Sequence, residues 1–114
     1  MILKSNDKQL LVSNGRILHS VWASEIMYIT SDGGYAIIHI ADKRSIVTTK
    51  NLKEVMGILG DMSFIRVNHG VIVNRLHIDF VKNRESNVIT MKNGEEIQVS
   101  KRKKADFYNA FVRV

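Results

Sequence analysis

Phe64-Ile65-Arg66-Val67-Asn68-His69-Gly70-Val71-Ile72-Val73-Asn74-Arg75-Leu76-His77-Ile78-Asp79 is the stretch on which the fold turns. Residues 64–67 and 71–74 are short runs rich in Ile and Val, parted by Asn68-His69-Gly70, and a third strand-like run follows at 77–82. Short runs of β-branched residues interrupted by Asn and Gly read as strands joined by tight turns.

The same grammar holds on either side. The chain has no proline, so its turns depend on Gly, Asn and Asp. Ser13-Asn14-Gly15 separates residues 9–12 from 16–19, and Asp32-Gly33-Gly34 separates 26–31 from 35–40. Ala41-Asp42-Lys43 leads into 44–49, and Lys92-Asn93-Gly94 separates 88–91 from 95–99. Each turn is flanked by β-branched or aromatic residues, as hairpins are. With Gly94 left-handed in a three-residue loop, Ile89 falls opposite Ile97. Met91 and Val99 then join them on an apolar face, while Val88, Thr90, Glu96 and Gln98 take the other.

Two segments have helical spacing. Asn51 is placed to cap residues 52–59, where Leu52, Val55, Met56 and Leu59 share a face and Gly60 follows. Ser100 is placed to cap a final helix through Lys103, Phe107 and Phe111, with Ala110 and Val114 also on its buried side. The expectation is a mainly β fold: eight or nine short antiparallel strands in small, barrel-like sheets, with two short α-helices. Without βαβ alternation, a doubly wound nucleotide-binding fold is excluded.

At 114 residues the chain suits one domain, expected over 9–114 after an N-terminal extension, 1–8. No apolar run approaches the roughly 18 residues of a membrane span, and the first residues lack the regions of a signal peptide. There are no cysteines, which rules out disulfides and thiolate metal sites, so the expected compartment is the cytoplasm. Net charge is +6, and Lys101-Arg102-Lys103-Lys104 supplies four positive charges in succession. Concentrated positive charge suits an acidic partner such as nucleic acid.

Taken in order, these segments resemble the LytTR family of DNA-binding domains. Residues 64–79 are similar to its central signature: an aromatic, an Arg, a short polar loop, an apolar triplet, an Asn and a later Ile. Ile26-Met27-Tyr28-Ile29, with the Gly turn and Tyr35, resembles its early strand and loop, and Thr48-Thr49-Lys50-Asn51-Leu52-Lys53-Glu54 the start of its helix. Asn93-Gly94-Glu95-Glu96-Ile97-Gln98-Val99-Ser100-Lys101-Arg102 resembles its closing strand and basic turn. Asn68-His69-Gly70 and Thr30 depart from the usual pattern, which often has His, a basic residue and Ser in the loop and a Glu after the early strand.

The resemblance implies binding of double-stranded DNA for bacterial transcription regulation, through loops rather than a recognition helix. Base contacts would come from Tyr35, His69 and Arg102, with the first and third loops in successive major grooves and the second in the minor groove between. It also implies direct-repeat sites, a second protomer on the DNA, and frequent linkage to an upstream phosphorylated receiver domain. These residues contain no receiver, so an excised output domain or a stand-alone regulator is expected.

Residue chemistry suits these roles. The planar guanidinium of Arg102 can donate twice to guanine, worth about 1–3 kcal/mol of discrimination. Lys101, Lys103 and Lys104 suit phosphates, and Ser100 adds a hydroxyl. The plainer reading of this run is a solvated basic turn. His69 is either a donor to the DNA or an ordinary loop histidine. Arg66 is either a phosphate contact or an anchor for the loop. Asn68 is assigned a DNA-backbone contact, although its chemistry is also explained by tolerance of unusual backbone angles. Asn74 suits a turn-holding role. Tyr35 is either a DNA contact or simply a favoured strand residue, while Trp22 and Tyr28 suit the core or an interface. No phosphate-cradling Gly loop or metal-spaced His pair is present, so the chain reads as a non-enzyme without cofactor or metal. The competing functions are a protein-interaction module of the same fold and a general RNA- or single-strand-binding β-protein.

Overall fold

The computed structural model describes residues 7–60, 62–82 and 86–114. Among these described residues, ten strands fall into three antiparallel sheets. The central sheet has five strands in the order β5(Ser45–Val47), β4(Tyr35–Ile40), β3(Ile26–Asp32), β7(Val71–Asn74), β6(Phe64–Asn68). A two-stranded hairpin, β1(Gln9–Ser13) and β2(Leu18–Trp22), and a three-stranded sheet, β8(Ile78–Lys82), β9(Val88–Met91) and β10(Glu96–Gln98), complete the set. The helices are α1(Leu52–Leu59) and α2(Lys104–Asn109).

Alternation along the central strands sends side chains to two separate cores. On one face Ile29, Ile38, Ile40, Phe64 and Ile72 pack with Val12 and Val21 of the first hairpin and with Leu52, Val55 and Leu59 of α1. On the other, Val67 and Val73 pack with Ile89, Met91, Ile97 and Val99 and with Phe107 of α2. The five-stranded sheet is therefore the middle of three layers, covered on both faces. Tyr28 is half-buried against the second core.

Local chemistry explains the elements. Gly33 and Gly34 both adopt positive φ, 57° and 88°, which a two-residue hairpin turn of this twist requires. Gly94 is also left-handed, at φ 91°, and Ile89 stands opposite Ile97 as the turn predicts. Asn51 caps α1 reciprocally: its side chain accepts from the Glu54 amide at 2.8 Å, and Glu54 accepts from the Asn51 amide at 3.2 Å.

Four expectations need correction. The strand expected at 16–19 begins at Leu18, because the Asn14 side chain takes the amides of Arg16 and Ile17 into a longer turn. The strand expected at 44–49 is confined to Ser45–Val47, since the Thr48 hydroxyl and the Lys50 amide and carbonyl close a local turn. Ser100 does not cap the last helix. Its amide donates to the Val67 carbonyl at 2.9 Å, residues 100–103 form a turn, and α2 starts at Lys104. Val114, expected on the buried side, is exposed because the helix ends at Asn109. Of the expected extension 1–8, residues 1–6 lie outside those described. The Asp7 carboxylate accepts from Ser24 and the Lys8 carbonyl from Ala23.

Candidate nucleic-acid interface

Hydrogen bonds gather four chain segments at one end of the central sheet. The β3–β4 hairpin is tied to the β6–β7 turn by the Ser31 amide and the Gly70 carbonyl, 3.0 Å apart. The entry to α1 joins through the Ala36 amide and the Lys50 carbonyl at 2.7 Å. The basic turn after β10 joins through Ser100 and Val67. That last bond depends on an irregularity in β6. Arg66 pairs with Ile72 and Asn68 with Val71, so Val67 is the extra residue of a β-bulge. An unpaired bulge residue is free to bond elsewhere, and the Val67 carbonyl accepts from Ser100.

The segments enclose an open groove of about 650 Å³. Of the residues singled out from the sequence, Arg66, Asn68, His69, Ser100, Lys101, Arg102 and Lys103 line it together. Lys104 and Tyr35 do not. Lys104 is exposed at the start of α2. Tyr35, 53% exposed, faces a second groove with Asn14, His19 and Thr48. Ser31, Asn51, Leu52 and Lys53 complete the lining of the main groove. Sequence reasoning did not pick out these residues for a site. The capping pattern at Asn51 marked a helix start, but its place beside the sheet is set by the bonds of Ala36 with Thr48 and Lys50.

Among the described residues, charge in the groove has one sign. Lys53, Arg66, Lys101, Arg102 and Lys103 line it, with no carboxylate among the lining residues. Among the described residues the ion pair is Arg44 with Asp42, at the far end of the sheet in the β4–β5 turn. Uncompensated cations in a concave surface focus a positive potential outward and draw in polyanions.

The middle loop is held firmly. Arg66 Nη2 donates to the His69 carbonyl at 2.5 Å and Nε to the Asn68 carbonyl at 3.4 Å, so this guanidinium anchors the loop. Asn68 Oδ1 accepts from the Gly70 amide at 2.8 Å, and Nδ2 donates to the Gln98 carbonyl at 2.7 Å. Neither Asn68 nor Gly70 has a positive φ, which corrects the expectation of unusual backbone angles at Asn68. Its side-chain amide is what the loop uses. His69, between these anchors, is exposed.

Of the other histidines, His39 is half-buried, its Nε2 2.8 Å from the Thr30 hydroxyl and its ring 4.7 Å from that of Tyr28. Burial pushes its pKa below the ordinary 6.5, and the Glu95 carboxylate partly opposes this. His77 Nε2 lies 2.6 Å from the Ser24 carbonyl and therefore carries the proton there. Among the described residues no cluster of three or more His, Cys, Asp or Glu side chains is placed to hold a metal. No described helix is long and apolar enough to cross a membrane.

Comparison with known proteins bears on the family and the fold. The family model of the LytTr DNA-binding domain matches residues 16–111. Among solved structures, the chain is similar to the LytTr DNA-binding domain of a methyl-accepting/DNA response regulator from Bacillus cereus. The TM-score is 0.75 at 22% sequence identity, with 89% of this chain and 94% of that one covered. No curated protein sequence matches this chain.

Proposed function

The chain belongs to the LytTr DNA-binding domain family, and from that premise we propose that it reads specific double-stranded DNA sequences to regulate transcription, using the cationic end of its central sheet. The observation that carries this reading is the groove itself. It brings His69 and Arg102, from loops more than 30 residues apart in sequence, to one surface with five cations and, among the described residues, no carboxylate.

In this reading Arg102, exposed on the basic turn, enters the major groove and pairs with guanine. Lys101, Lys103 and Lys104 bind phosphates as compact charges, and Lys53 extends that contact from the start of α1. Ser100 adds its hydroxyl to the backbone contacts. His69 approaches the minor groove from the loop that Arg66 and Asn68 hold. Tyr35 contacts DNA beyond the main groove, from the tip of the β3–β4 hairpin. Two protomers occupy a direct repeat. The role is one of binding, without catalysis.

Selection of bound fragments from a genomic library, followed by titration of the enriched duplex at two salt concentrations, tests this. An enriched motif is expected, with affinity falling steeply as salt rises. Salt-sensitive binding with no preferred sequence would overturn the specific reading. An absence of binding would favour a protein-interaction module, for which the exposed Leu11, Ile17 and Leu18 of the first hairpin are the observation.

A further inference from the structure

We infer that Asn68 is a positioning residue that sets the spacing between the two readers, His69 and Arg102, and so makes the length of the DNA between their contacts part of the recognised sequence. The inference rests on the DNA-reading proposal above.

Among the described residues, two hydrogen bonds join the β6–β7 turn to the segment that leads into the basic turn. One is the backbone bond from Ser100 to the bulged Val67, at 2.9 Å. The core shared by Val67, Val99 and Phe107 holds both ends of the basic turn, so with this bond alone the freedom left is a small shift of the exposed residues 101–103 relative to the loop. The second is the bond from Asn68 Nδ2 to the Gln98 carbonyl, at 2.7 Å and two residues before Ser100. Two bonds at separate points on the same strand end restrict that shift.

A side-chain amide is well matched to this junction. The Gly70 amide on the loop side is a donor and the Gln98 carbonyl on the other side is an acceptor, so the bridging group must accept with one atom and donate with the other. Asn68 does both. Carboxylate, hydroxyl and ammonium side chains of similar reach each fail one half or lack the fork. The loop is fixed in turn to the β3–β4 hairpin by Ser31 and Gly70, so the clamp refers the basic turn to the whole sheet.

A clamp of this kind leaves base chemistry to Arg102 and His69 but dictates where those two side chains fall along the helix axis. One base pair moves a contact by about 3.4 Å and rotates it around the duplex, an offset that a rigid junction cannot follow. A clamped domain therefore rejects sites with altered spacing, and a domain with a looser junction tolerates them better.

The test uses the enriched duplex and two derivatives, with one base pair inserted or removed between the positions whose discrimination is lost in His69→Ala and in Arg102→Ala. For each protein the readout is the ratio of Kd on the altered duplex to Kd on the original, so overall charge and affinity cancel. The wild type is expected to lose about tenfold or more on the altered duplexes, as for a mismatched site. In Asn68→Ala the penalty should shrink to about threefold or less, while Arg102-dependent discrimination at its own base pair persists. Asn68→Asp keeps the acceptor for Gly70 and loses the donor to Gln98. It should behave like Asn68→Ala, and it serves if the alanine variant melts below the assay temperature. An unchanged spacing penalty in folded variants would overturn the clamp alone, since a merely structural asparagine weakens all spacings equally. Wild-type protein without any sequence preference would overturn the DNA-reading proposal itself, and the clamp with it.

Discussion

Asn68 and Asn74 stand at opposite ends of the β6–β7 hairpin, and the same side chain is used there in two ways. Asn74 is fully buried. Its Nδ2 donates to the Ile26 carbonyl at 2.7 Å and the Ala23 carbonyl at 3.3 Å, and its Oδ1 accepts from the Ser63 hydroxyl at 2.5 Å and the Leu76 amide at 3.1 Å. Asn68 is partly exposed and makes two bonds, one within its loop and one to the neighbouring turn. A saturated buried amide holds the fold, whereas an unsaturated amide at the rim arranges a surface. The two ends of the sheet divide the work in the same way. Among the described residues, the Asn74 end has the Arg44–Asp42 ion pair, and the Asn68 end has the cations of the groove, without an ion-pair partner there.

The largest expected effect is on folding. Asn74→Ala strands buried polar groups that relied on the amide, and should lower the free energy of unfolding by on the order of 3 kcal/mol in a urea titration. A loss well under about 1 kcal/mol would break the distinction between the two asparagines. Arg102→Ala should leave the urea midpoint unchanged, because the side chain is exposed. It should cost about 1–3 kcal/mol of discrimination at one base pair in competition titrations. An equal loss on every sequence would reduce Arg102 to a phosphate contact.

Lys53→Ala sharpens the comparison at the part of the groove that the sequence did not reveal. Binding should weaken uniformly across sequences, and the slope of log K against log salt should become shallower by about 0.9. Lys92→Ala, in the β9–β10 turn beside the His77 carbonyl at the opposite end, should leave that slope alone.

The smallest effect concerns pH. Burial lowers the pKa of His39 in the folded chain below 6.5. The unfolded chain therefore binds the proton more readily, and stability rises with pH across the interval between the two values. The contribution is complete above about 6.5 and declines as pH falls toward the lower folded value. Urea midpoints from pH 7.5 down to 5 should show the decline, and His39→Gln should flatten it.

Much of the fold was legible because its turns are written in local chemistry. Gly33-Gly34 and Gly94 fixed two hairpins, and the Asn51 to Glu54 pattern fixed the first helix. The last helix was misplaced because its start is decided by a distant partner, the Val67 carbonyl, which holds the Ser100 amide. The site was half legible for the same reason. The cations of the basic turn are consecutive and easily seen, and the family pattern pointed to His69. The bulge at Val67 and the reach of Asn68 across 30 residues to Gln98 leave no periodic trace. Lys53 looks like any exposed helix lysine until the fold brings it into the same groove as Arg102.

The division of labour between the two ends is tested most directly by following backbone amide resonances of the labelled domain as the enriched duplex is added. The largest shifts are expected at residues 31–35, 50–53, 66–70 and 98–104, with residues 41–44, 75–77 and 92–95 nearly unmoved. Shifts centred on the latter set would place the DNA at the end that Asn74 holds, and would contradict the assignment of the cationic groove as the reading surface.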